Sequence, residues 1–144
     1  MTDSEVGALA ELRERVRVQL GPLVDMRSPA APTNGDDALS FDYAGAPCAV
    51  RAFALADGLD VLSMTCVLAW DIPLGPDLRA TVARAAESVQ FGSVNVIERP
   101  DSADVLLQYT FPAGTLEPEA LRTMLLLVLS GVGEMRESLR ALNG

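Results

Sequence analysis

The stretch from Cys48 to Trp70, CAVRAFALADGLDVLSMTCVLAW, decides how the chain is read. Two runs rich in β-branched and apolar residues flank Asp57-Gly58, a favoured two-residue hairpin loop. With that loop, Ala56 stands across from Leu59 and Phe53 across from Leu62. The pleat then sorts the side chains onto two faces. Arg51, Phe53, Leu55, Leu62, Met64, Cys66 and Leu68 form a bulky face, expected to be core. Cys48, Val50, Ala52, Ala54, Val61, Ser63, Thr65 and Val67 form a smaller, mixed face suited to solvent, a close-packed helix or a docked partner. This register sets Cys48 and Cys66 on opposite faces and forbids a disulfide between them, although a one-residue slip reverses that conclusion.

On the N-terminal side of the hairpin, LSFDY at 39–43 alternates in the same rhythm and is joined to it by the turn signal AGAP. Residues 4–20 place Leu9, Leu12, Val16 and Leu20 at helical spacing, with Thr2 and Glu5 in the pattern of a capping box. Between them, 21–38 holds three prolines and two glycines without periodicity and reads as a loop or linker. On the C-terminal side a helix is expected from about Pro76 to Phe91, with proline in its first turn and Gly92 after its end. Its apolar stripe is Leu78, Val82, Ala85, Ala86 and Val89, small enough to pack closely on a core or on another helix. Two strands follow, VNVIER and VLLQYTF, around a Pro-Asp turn. A last helix starts at Glu117 or Pro118 and ends near Leu142. The order α-β-β-β-α-β-β-α implies an α+β fold, an antiparallel sheet packed by helices in a single domain over 1–144, with 39–142 as the sheet-and-helix body.

The last helix carries RTMLLLVLSGVGEM at 122–135, too short to cross a bilayer, which takes roughly 20 apolar residues. At 100° per residue, Leu121, Met124, Leu125, Val128, Leu129, Val132, Met135, Leu139 and Leu142 share one stripe. Leu126 and Leu127 fall outside it beside Glu119, Thr123, Ser130 and Glu134, and are expected to be exposed as a partner-binding surface. Gly131 and Gly133 mark a bend or a close contact, a premature helix end being the alternative.

Composition narrows the chemistry. The 144 residues are 49% hydrophobic, enough for one core, and carry eleven arginines, no lysine and no histidine against twenty acids, for a net charge of −9. Such an acidic chain repels nucleic-acid phosphates and anionic membranes. Without His or Lys, Ser-His-Asp triads, Cys-His pairs, His-bearing zinc sites and Lys-dependent phosphate loops are excluded. SGVGEM lacks the spacing of a phosphate loop, and NGDDALSFD lacks the ordered ligands of a calcium loop. No catalytic, cofactor or metal residue emerges. Two widely spaced cysteines and an acidic N-terminus without a signal-like apolar run point to a cytoplasmic protein with reduced thiols.

The layout, and within it ADGLDVLSMTCVL before DIP, FGSVNV after the middle helix and LLQYTFPAGTLEPEALRTML, resembles the YbjN and type III secretion chaperone-like group. That resemblance covers roughly 39–142 and implies one compact α+β domain with a non-enzymatic, protein-binding role, commonly as a homodimer. In secretion chaperones of this fold the middle helix is the main dimer contact and an extended client segment is held. The matching element here is the helix carrying Leu78, Val82, Ala85, Ala86 and Val89. The expected function is therefore a homodimeric protein- or peptide-binding module, the alternatives being a dedicated adaptor or regulatory subunit of one partner and a small-molecule sensor.

Overall fold

The computed structural model describes residues 3–27 and 38–143. The long hairpin lies at its centre: β3 (Ala46–Ala56) and β4 (Leu59–Pro73) turn at Asp57-Gly58 as expected. β2 (Leu39–Tyr43) flanks β3, and a two-residue strand, β1 (Asp25–Met26), pairs with β2 inside the segment expected to be loop. Beyond β4 lie β6 (Ser102–Pro112) and, at the other edge, β5 (Ser93–Glu98). All neighbours are antiparallel, in the order β1-β2-β3-β4-β6-β5. The rest of the 21–38 segment, from 28 to 37, lies outside the described residues, as does Thr2 of the expected capping box.

The hairpin register corrects the expected one. Ala56 pairs with Leu59, but Ala54 pairs with Asp60, so Leu55 is an extra residue. From there on Phe53 faces Val61, Ala52 faces Leu62, and Cys48 stands directly across from Cys66. The two cysteines share the core face as buried free thiols instead of being divided between faces. The turn supplies the reason. A type I′ loop, whose twist matches the strands, needs positive φ at both central residues. Ala44 (φ 50°) and Gly45 (φ 80°) meet that between β2 and β3, where pairing runs without a slip. At the central hairpin Gly58 is left-handed (φ 75°) while Asp57 keeps a negative φ, and a bulge takes up the mismatch two residues before the loop. Cys48, Val50 and Ala52 therefore point inward with Leu62, Met64, Cys66 and Leu68, while Arg51 and Phe53 point outward.

The helices pack on the inward face. α1 (Asp3–Leu20) lays Leu9, Leu12, Val16 and Leu20 over β3, where the small Cys48, Val50 and Ala52 allow close approach. Arg15 of α1 donates to the carbonyls of Leu116 (2.9 Å) and Gly114 (3.2 Å), tying the helix to the connection after β6. α2 (Pro76–Ser88) ends three residues earlier than expected, Val89 turning to extended backbone before Gly92. The last helix is two helices, α3 (Pro118–Leu129) and α4 (Val132–Arg140), followed by a 3-10 turn at Ala141–Asn143. The break falls at Ser130-Gly131, one of the two glycines that flagged a bend. Seven of the nine residues of the helical-wheel stripe are buried, and Met124 and Leu142 pack against the core at its edge. A second bulge in β4 at Leu68-Ala69 frees a carbonyl that accepts from Arg136 of α4 at 3.4 Å.

Candidate functional site

The helical layer is not closed. A groove of about 340 Å³ lies where α2 meets the α3–α4 break, lined by residues of all three helices. Leu107 of β6 forms its floor, Ala85 and Val89 one wall, Val128 and Met135 the other, with Phe91 at one end and Leu127 on the lip. The volume lies at the lower end of the range for small-ligand or side-chain pockets.

The polar lining is mostly hydroxyl. Ser88 donates to the Ala85 carbonyl (2.9 Å), Ser130 to Leu127 (2.9 Å) and Ser138 to Glu134 (3.2 Å), so each proton stays within its own helix. What each hydroxyl leaves available is acceptor capacity. Thr81, 5% exposed, accepts from the Arg84 guanidinium at 3.4 Å. Arg84 on α2 and Glu134 on α4 line opposite walls, and neither is in an ion pair among the described residues. The groove thus offers an apolar floor with one cationic and one anionic wall.

The residues singled out from the sequence distribute unevenly around it. Leu126 and Leu127 are both exposed, at 37% and 39%, and Leu127 belongs to the groove. In the α2 stripe, Leu78 and Ala85 are buried and Val82 and Val89 pack against the same core, so these four serve the chain's own interior. Ala86 alone of the stripe is exposed. Thr81, Arg84, Phe91, Glu134 and Met135 were not singled out as site residues, because nothing in the sequence brings α2 beside the α3–α4 break. The flagged Gly131 was the one available signal.

Shifted ionisation lies elsewhere and is structural. A hydrogen bond from Arg27 holds the Asp42 carboxyl below its ordinary range where β1 meets β2, and Arg17 does the same to Glu14 on α1. The Cys66 thiol is pushed up by its contact with Cys48 and then by burial. No group of three or more His, Cys, Asp or Glu side chains that could hold a metal ion occurs among the described residues. No helix among them is long and apolar enough to cross a membrane.

The chain matches no protein-family model and no curated protein. Among solved structures it is similar to an uncharacterized protein from Methanothermobacter thermautotrophicus, with a TM-score of 0.61 at 12% identity over 92% of this chain and 99% of that one. At that identity the likeness is one of fold alone.

Proposed function

We propose that the chain is a non-enzymatic protein- or peptide-binding module that acts as a homodimer, in the manner of the YbjN and secretion chaperone-like proteins it resembles. The observation that carries this reading is the groove between α2 and the α3–α4 break, with Leu127 on its lip and Leu126 exposed beside it. An apolar floor rimmed by hydroxyls and two opposite charges suits an apolar side chain of a client segment, with flanking polar groups reaching Arg84 and Glu134. The test is panning the full chain against a display library of random twelve-residue peptides. Enriched peptides with an apolar anchor, weakened at least tenfold by Leu127→Glu in an otherwise stable protein, are the expected result. A library that enriches nothing, or binders indifferent to Leu127→Glu, overturns the reading. The groove's size also fits a small-molecule sensor, which would instead show as a thermal upshift with a metabolite and no peptide enrichment.

A further inference from the structure

The sheet has a second face, and among the described residues no helix packs on it. It gathers Ser40, Ala49, Thr65, Gln108 and Ser93 in one cross-strand row, Asp42, Pro47, Val67, Leu106 and Asn95 in the next, and Arg51, Ser63 and Thr110 in a third. Past Val67, Trp70 and Asp71 lie between the Ala69–Val105 and Ile72–Ala103 pairs, opposite the single residue Asp104, which pairs on its other side with Ile97. Trp70, the chain's single tryptophan, is 57% exposed and Ile97 is 48% exposed.

Many of the polar groups of this face are bonded to one another sideways. Thr110 donates to Ser63 (3.3 Å), Asn95 to Gln108 (2.7 Å), Arg27 holds Asp42, and Arg99 holds Asp104 and Asp71. Arg51 lies over the Phe53 ring at 5.1 Å. A face whose donors and acceptors bond within its own plane loses little when water is removed. It is also nearly neutral. Among the described residues Arg27, Arg51 and Arg99 stand against Asp25, Asp42, Asp71 and Asp104, a balance of one negative charge out of the chain's nine. Its projection, from strand spacing and rise, is on the order of 700 Å², close to the roughly 800 Å² per partner of a standard stable interface.

We infer that this face is where two copies of the chain meet, sheet on sheet about a twofold axis. The inference rests on the homodimer part of the reading above and relocates its contact from α2. Most of the α2 stripe is spent on the chain's own core, and a like-charged copy is repelled least where charge is balanced. The two sheets pack about 10 Å apart with their strands aligned to within about 30°. The two grooves then face outward on opposite sides, so one dimer presents two client sites.

Light scattering and tryptophan emission test this on the full chain. The expected result is a species of twice 15.3 kDa whose Trp70 emission shifts to the red as dilution dissociates it. Thr65→Arg and, as a second variant at an exposed position, Gln108→Arg should each weaken the dimer at least tenfold with unchanged melting, while Ala86→Arg on the outer side of α2 leaves it intact. A dimer that survives both face variants, or that only Ala86→Arg breaks, overturns the face and leaves the homodimer standing. A wild-type chain that is monomeric at 100 µM overturns both. The peptide-panning readout of Leu127→Glu is independent of either result.

Discussion

Cys66 shows how far one residue's chemistry depends on register. Its thiol is fully buried, faces Cys48 across the strand pair, and is held protonated by that contact and by burial. A thiol whose folded-state pKa is raised binds its proton more tightly in the native chain than in the unfolded one. Its contribution to stability is therefore complete below the unfolded value of about 8.5 and is lost as pH rises beyond it. Urea unfolding at pH 7, 8.5 and 10 should show the wild-type advantage over Cys66→Ala narrowing only above pH 8.5. A thiol reagent at pH 8 should leave native Cys66 unmodified and modify it once urea unfolds the chain. A gap that is constant with pH, or rapid native labelling, would mean that the thiol is not sequestered. The pleat placed Cys66 on the core face and Cys48 on the other, and both are buried. Their partnership depended on a bulge that no residue type announces.

At the scale of elements, periodicity carried most of what the sequence could show. The strand at 39–43 matches residue for residue, the long hairpin turns where Asp-Gly placed it, and the buried stripe of α3–α4 follows the helical wheel. The departures lie at junctions, where periodicity is silent. Asp57 declines the left-handed conformation, so Leu55 bulges and β3 presents the opposite face from the one expected. α3 ends at Leu129 and α4 begins at Val132, and Ser130 and Gly131 between them line the groove. Leu55 is 62% exposed and pairs with nothing across the strand. Deleting it should therefore keep Cys48 opposite Cys66 and cost no more than about 1 kcal/mol in chemical denaturation, the scale of small surface changes. Deleting Ala49 instead moves every residue on the N-terminal side of it in β3 to the wrong face and should abolish cooperative folding. If the two deletions are equally harmful, the bulge is not the element that sets the register.

For the whole molecule, the governing quantity is a charge of −9 on 144 residues. Two such bodies repel at long range, yet among the described residues the helix-free sheet face is nearly neutral and the ion pairs of Arg27 and Arg99 lie within one chain. Salt would therefore act on the proposed dimer in a particular sense. An interface built from ion pairs between copies weakens as salt screens them. A neutral face between acidic bodies strengthens, because the Debye length falls from about 30 Å at 0.01 M to about 10 Å at 0.1 M and removes the repulsion of the remaining surface. Sedimentation equilibrium at pH 7 should show the dissociation constant falling a fewfold between about 10 and 300 mM sodium chloride, most of it below about 100 mM, where screening changes fastest. Arg99→Gln sharpens the measurement, since it leaves Asp71 and Asp104 uncompensated on the face. That variant should dimerise more weakly than wild type and depend more steeply on salt in the same direction. A wild-type constant that rises with salt would show copies joined by ion pairs, and the neutral sheet face could not then be their contact.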